Sequence, residues 1–479
     1  MSNHLEQALL DRHVARGLDD LRALVALPSV SAQGRMLPET AEAVSSLLRE
    51  EGFAVRQFPG TVAPVLLAEA GDGPFTLLIY NHYDVQPEDP LELWDTPPFE
   101  LTERDGRLYG RGASDDKGEL ASRLAAVRAV REQLGHLPVK VKWLIEGEEE
   151  VGSPTLERFV AEHAADLQAD GCWWEFGGIS PEGQPILSLG LKGVMCVELR
   201  CRVAESDLHS SLGAVIDNPL YRLARAVASL RDEQGNVTIP GFHDDVRGAS
   251  EADREAIARI PGDGQAVRDT FGVRRPLATG PEYHRRTNLH PVVNVNGWGG
   301  GYQGEGSKTV LPGAGFVKLD FRLVPDQDPE RVLTLLREHL AAQGLDDIEV
   351  VELEAHQKPA RADAGHPFVQ ACIAAARAAH GKDPIVHPSS GASGPMFPFT
   401  GGAGGGGLGL PCVAVGIGNH AGRVHAPNEN IVREHFAQGV AFGAELLTRL
   451  GQWDGGLPNP GTPPDGGKTA PGESGKQGR

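Results

Sequence analysis

Phe75-Thr76-Leu77-Leu78-Ile79-Tyr80 runs without a charge into Asn81-His82-Tyr83-Asp84, and this junction decides how the chain is read. Six apolar or uncharged residues predict a buried strand. The triplet His82, Tyr83 and Asp84 then stands where that strand leaves the sheet. Residues two apart on extended backbone point to the same face, so His82 and Asp84 can share one site. A histidine that ligates a metal usually gives its other ring nitrogen to a carboxylate or carbonyl. In open α/β sheets, ligands bind beyond the carboxyl ends of the strands.

Outward from this strand, helical and extended patterns alternate. Residues 5–27 and 39–52 carry a helical apolar period, the second closed by Gly52. Residues 65–68 read as a strand, 119–135 as an Ala/Leu/Arg helix ending in Gly135, and 139–145 as a strand entering Glu146-Gly147-Glu148-Glu149-Glu150. Such alternation implies an α/β body, a mainly parallel sheet covered by helices. From Val194 the texture changes. Strands are expected at 194–203, 315–323 and 347–353, and helices at 219–234 and 328–344, the latter opened by Asp328-Pro329. The stretch between, to about Asn288, reads as irregular. These features suggest a smaller α+β unit with one exposed sheet face. The first texture returns with a helix at 368–381, a strand at 411–418 and a helix at 433–452. The expected division is 1–193 and 357–453 for the catalytic body, 194–356 for an inserted unit and 454–479 for a disordered tail. The loop 401–409 reads as flexible loop, not as a phosphate cradle.

The chain has 479 residues and 40% hydrophobic content, with 45 basic against 65 acidic residues and a formal net charge of −20. That balance opposes nucleic acid and anionic membranes as partners. No apolar run approaches the ~20 residues that span a bilayer. Met1-Ser2-Asn3-His4-Leu5-Glu6-Gln7 lacks a basic region followed by an apolar core, so no secretory signal is expected. Five scattered cysteines without a CxxC pair suit free thiols in a reducing, cytoplasmic compartment.

Further clusters follow strand-like segments. They are Gly110-Arg111-Gly112-Ala113-Ser114-Asp115-Asp116-Lys117-Gly118, Glu148-Glu149-Glu150-Val151-Gly152-Ser153, Trp173-Trp174-Glu175-Phe176-Gly177-Gly178 and His425-Ala426-Pro427-Asn428-Glu429-Asn430. Each has an ordinary explanation: a solvated acidic face, a helix cap, a turn or a core tryptophan pair. Their joint occurrence argues otherwise. Mixed histidine and carboxylate sets suit Zn, Mn or Co. Two cations ~3.5–4 Å apart need a bridging carboxylate and generate hydroxide from water. A further carboxylate must carry the proton to the leaving group. Adjacent glutamates can divide the work of ligand and base.

With these motifs the chain resembles the M20 family of co-catalytic zinc aminoacyl-hydrolases over roughly residues 5–452, closest to its cytosolic non-specific dipeptidase and carnosinase group. The resemblance implies two divalent metal ions per subunit, Zn foremost, and the following roles. Asp115 bridges both metals, His82 and Glu175 complete one, and Glu150 and His425 complete the other. Many members carry Asp at the place of Glu175. Glu149 is the general base and then the general acid. Glu148 is its rival, but Glu149 and Glu150 stand directly before the family's x-Gly-Ser. Asp84 orients His82, and the Asp115–Asp116 peptide is expected to be cis.

The inserted segment resembles the family's lid, which also forms a homodimer. Asp207-Leu208-His209-Ser210-Ser211 matches the motif whose histidine contacts substrate, in dimers from the neighbouring subunit. Thr309, Arg322 and Ser393 match contacts to the substrate carboxylate, and a guanidinium suits a bidentate grip. His356 is a weaker candidate. The implied reaction is hydrolysis of dipeptides or short peptides with a free C-terminal carboxylate. The alternative is deacylation of N-acyl amino acids at the same site.

Overall fold

The computed structural model describes residues 6–401 and 406–454. The tail expected to be disordered lies outside the described residues after 454, as does 402–405 of the glycine-rich loop. The body is built on a ten-stranded sheet. At its centre Lys140–Glu146, Thr76–His82, Gly171–Trp174 and Cys412–Ala414 lie side by side and parallel. Antiparallel strands Ala54–Phe58 and Val65–Ala70 extend one edge.

The central strands are covered on both faces, and their side chains alternate between two cores. Leu77, Ile79, Val141, Trp143 and Trp173 face a core shared with helices Gln7–Val25, Lys117–Leu134, Pro367–His380 and Arg433–Leu450. Leu78, Tyr80, Leu144, Cys172 and Trp174 face the other core, with Phe159 and Phe399. This two-residue period is why the strands read as continuous apolar runs. Arg123, fully buried on the helix after Asp116, pins two strand ends at the site. Its guanidinium donates to Tyr80 O at 2.9 Å, Asn81 Oδ1 at 3.1 Å and Trp174 O at 2.9 Å.

A second, four-stranded antiparallel sheet runs in the order Val292–Gly300, Ala314–Leu323, Gly193–Arg202, Glu349–Gln357. Helices Pro219–Ser229 and Pro329–Ala342 cover one face and share its separate core. Asp328 caps the latter helix as its sequence implies, accepting from Glu330 N at 2.9 Å.

Three local expectations need correction. The stretch read as irregular holds helices Glu251–Ala258, Gln265–Phe271 and Pro281–Leu289, followed by a strand, Val292–Gly300, that the sequence did not announce. These helices are short and charged, so their apolar period is weak, but they are closed by local chemistry. Ser250 and Asp253 form a capping box, and Gly264 and Gly272 flank the middle helix in left-handed conformation. The helix expected at 219–234 ends at Ser229, because the chain turns back through Asp232 and Gly235 to pair Arg231 with Val237. The strand expected at 411–418 breaks into Cys412–Ala414 and the short Gly418–Asn419, because the Glu119 carboxylate takes the N–H of Ile417 at 2.6 Å and diverts the backbone between them.

All five cysteines are free. Among the described residues, no helix is long and apolar enough to cross a membrane.

Candidate metal centre

Four parallel strands end on the same side of the sheet, and the chemistry gathers there. His82 closes its own strand opposite Glu146. Glu149 and Glu150 open a short helical turn just beyond Glu146, and Glu175 follows Trp174 directly. Asp115 enters from the loop before Lys117–Leu134, and His425 from the loop after Cys412–Ala414. The Asp115–Asp116 peptide is cis.

His82 Nδ1 lies 3.1 Å from the Asp84 carbonyl oxygen and 3.2 Å from its Oδ1. Donation there leaves a lone pair on Nε2, which faces Asp115 Oδ1 at 3.0 Å and Glu175 Oε2 at 3.5 Å. His425 Nε2 faces Asp115 Oδ2 at 3.0 Å and Glu150 Oε2 at 3.1 Å. Asp115 therefore turns one oxygen toward each imidazole, and Asp115, Glu150 and His425 form one cluster of donor atoms. The other cluster groups His82 and Glu175 with Asp116 in place of Asp115. Asp116 Oδ2 is already engaged, accepting from Asn81 Nδ2 at 2.6 Å and from His82 N at 3.1 Å. Asp115 is the better donor to this half.

The donor set fits two divalent cations. Lone pairs of His82 Nε2 and Asp115 Oδ1 at 3.0 Å repel unless a proton or cation lies between them. Glu175 Oε2 is buried with no hydrogen-bond partner, a costly state for a carboxylate unless a cation meets it. Carboxylate crowding shows in the titration of the cluster. Burial, opposed by His82 and reinforced by Asp115, Glu150 and Asp84, lifts Glu149 to about 8. Burial likewise raises Glu175 well above the usual range. Burial alone would depress His82, but Glu175, Asp115 and Asp84 raise it overall. Hydrogen bonds to Asp115 and Glu150 raise His425 to about 10.

Glu148 is absent from this cluster. It is buried elsewhere, accepting the N–H groups of Val62 at 2.5 Å and Ala63 at 2.8 Å. Arg322 and Ser393 come together, Nη1 to Oγ at 3.0 Å. His209 and Thr309 sit on a separate exposed ribbon, where Ser210 N donates to Thr309 O at 3.2 Å and the His209 ring partners Ser211. Neither joins Arg322 through a hydrogen bond or ion pair among the described residues. His356, half-buried, stands with exposed Glu330 and Glu352 in a trio that shares no residue with either half of the centre.

The supporting groups were largely missed by sequence reasoning. Glu429 is wholly buried, pairs with Arg111 at 2.6 Å, and accepts the N–H groups of Gly112 at 3.1 Å, Ser114 at 2.9 Å and Asp115 at 3.0 Å. It thus locks the Asp115 loop to the His425 loop. Gln86 Nε2 donates to Glu150 Oε2 at 2.8 Å. Arg111 and Glu429 were visible as opposite charges inside two Gly- or Pro-bearing motifs, whereas nothing around Gln86 marked it.

Residues 78–449 match the model of peptidase family M20/M25/M40. The chain is 33% identical over 293 residues to a Beta-Ala-His dipeptidase of Rattus norvegicus, a match that covers 58% of each chain. It therefore spans less than two thirds of that relative's length. The Homo sapiens Beta-Ala-His dipeptidase is 32% identical over 361 residues, covering 69% of this chain and 70% of the relative. The crystal structure of an M20 family metallo-carboxypeptidase from Sulfolobus solfataricus superposes with a TM-score of 0.80 at 36% identity, covering 91% of this chain and 99% of that one.

Proposed function

Because the chain belongs to peptidase family M20/M25/M40, we propose that it is a two-metal dipeptidase, hydrolysing dipeptides or short peptides with a free C-terminal carboxylate. The observation that carries this reading is the Asp115 carboxylate, set 3.0 Å from His82 Nε2 on one side and 3.0 Å from His425 Nε2 on the other. His82, Glu175 and Asp115 would hold one cation, and Glu150, His425 and Asp115 the other. Bound there, the cations supply Lewis acidity to the peptide carbonyl and acidify water.

The protein's own groups do the rest. Glu149 accepts a proton from the attacking water and returns it to the leaving amide nitrogen. Asp84 fixes the tautomer of His82. Arg322 grips the substrate carboxylate with Ser393 beside it, and Thr309 and His209 complete the enclosure, His209 from a neighbouring subunit at the developing oxyanion. Residues 194–356 serve as lid and dimer surface, supported by their separate core and by exposed Val215, Tyr221, Val295 and Trp298. Free thiols suit a cytoplasmic setting.

The test is a panel of dipeptides set against N-acetyl and N-succinyl amino acids, with added Zn or Mn. Dipeptide cleavage is expected, and Glu149→Gln should lose roughly 10²–10⁴-fold in rate while keeping bound metal. Cleavage of acyl amino acids alone would favour the deacylase reading, and full activity of the variant would remove Glu149 as base.

A further inference from the structure

A cavity of about 450 Å³ opens beside the metal centre, walled by residues that flank three of its donors. Its floor includes Asp115 itself, one rim is Phe176, next to Glu175, and the other is Val424, next to His425. The size falls within the range of small-molecule sites. Both rim side chains are left to solvent, Phe176 at 47% and Val424 at 38% exposure. Ile179 and Ile186 line the wall between them. Phe176 also adopts φ of 66°, a left-handed conformation rarely tolerated by a bulky residue. An exposed phenyl ring held in unfavourable backbone geometry beside a metal donor is a combination that stability alone does not explain.

None of Arg322, Ser393, Thr309 and His209 lines this cavity. It is therefore not where the carboxyl end of a substrate is held. A dipeptide with its scissile carbonyl at the metal centre and its carboxylate on Arg322 keeps its carboxy-terminal side chain on the Arg322 side, next to that carboxylate, which leaves its amino-terminal residue, with α-amino group and side chain, to this cavity. We propose that the cavity between Phe176 and Val424 is the subsite for that side chain, and that it selects a large aliphatic or aromatic one. This proposal rests on the dipeptidase reading above and adds the substrate class.

The test uses the full-length, metal-loaded enzyme with Gly-Gly, Ala-Gly, Leu-Gly and Phe-Gly. One methylene in an apolar pocket is worth about tenfold or more in kcat/KM, so Leu-Gly and Phe-Gly should exceed Gly-Gly by at least that factor. Phe176→Ala should shrink the ratio of Leu-Gly to Gly-Gly, and Val424→Trp should move the preference from Phe-Gly toward Ala-Gly. Both positions are solvent-exposed, so both variants are expected to fold, and circular dichroism checks this. Dipeptide cleavage with a flat profile, or with ratios that neither variant changes, overturns the subsite alone. Failure to cleave any dipeptide, Gly-Gly included, overturns the dipeptidase reading and the subsite with it.

Discussion

Asp84 is wholly buried, and its carboxylate has two kinds of partner. Oδ1 lies 3.2 Å from His82 Nδ1, while Oδ1 and Oδ2 also accept the N–H groups of Glu149 at 3.2 Å and Glu150 at 3.0 Å. One side chain thus orients a histidine donor, a carboxylate donor and the proposed base. Asp84→Asn keeps the shape but offers an amide where three donors converge. Loss of such an outer partner typically costs 10–100-fold in metal affinity or activity, so activity or the affinity for metal, read by titration into chelated protein, should fall by about that factor. The thermal midpoint of the metal-free protein should move little, and an equal loss of stability would count against a positioning role. Away from the centre, His387 offers a pH test. Burial, with His284 adjacent, depresses it to about 4. Its folded value lies below the unfolded ~6.5, so the folded state binds fewer protons. The stability it contributes is complete above about pH 6.5 and is lost as pH falls toward 4. The urea midpoint of the wild type should therefore drop more between pH 7 and pH 5 than that of His387→Gln. At this scale the sequence was legible where a residue stood in a dense motif. Glu429 sat inside such a motif, yet its role depends on Arg111 and three backbone N–H groups about 315 positions earlier in the chain, a proximity that spacing does not encode.

Elements with a long apolar face were the readable ones. Gln7–Val25, Lys117–Leu134 and Arg433–Leu450 bury one another's faces against the sheet, and their sequence periods announce them. Gly135 and Gly381 end their helices in the left-handed conformation that glycine permits. The helices between Ser250 and His290 were hidden for the opposite reason. They bury little, with Ile257 and Ile260 packing beside Ile385 of the body in a small cluster. Helices that draw little from packing depend more on their ends. Glu251–Ala258 should therefore feel the loss of its capping box, in which Ser250 Oγ accepts Asp253 N at 3.1 Å. Ser250→Ala is expected to cost about 1 kcal/mol, read as a lowered urea midpoint. Faster amide exchange confined to this helix would locate the effect, and unchanged exchange there would show that packing on Ile385 holds it instead.

On the scale of the whole molecule, the proposed donors to the metal centre span the body from His82 to His425 but none lies in the four-stranded unit. That unit has its own core, including Leu199, Leu223, Phe321 and Leu336. It touches the body through the Ile257 cluster, the Arg361–Asp253 pair at 3.6 Å and hydrogen bonds such as Arg322 to Ser393 Oγ at 3.0 Å, Lys192 Nζ to His290 O at 2.7 Å and Arg247 to Arg361 O at 3.1 Å. Two separate large cores joined mostly by polar contacts and one small apolar cluster should melt as two transitions. Metal binding then acts on only one of them, because a ligand stabilises the state that holds it. Restoring metal to chelated protein at about 100 times its dissociation constant should stabilise the body by about 2.7 kcal/mol for each site filled. In calorimetry the body's transition should rise while that of the four-stranded unit stays in place. Asp115→Asn should abolish the rise, since Asp115 faces both histidines. A shift of the same size in both transitions would show instead that these contacts suffice to make the two cores one cooperative unit. In that case metal loading would also stabilise the surface that carries His209 and Arg322, tying the order of the proposed lid to the occupancy of the metal centre.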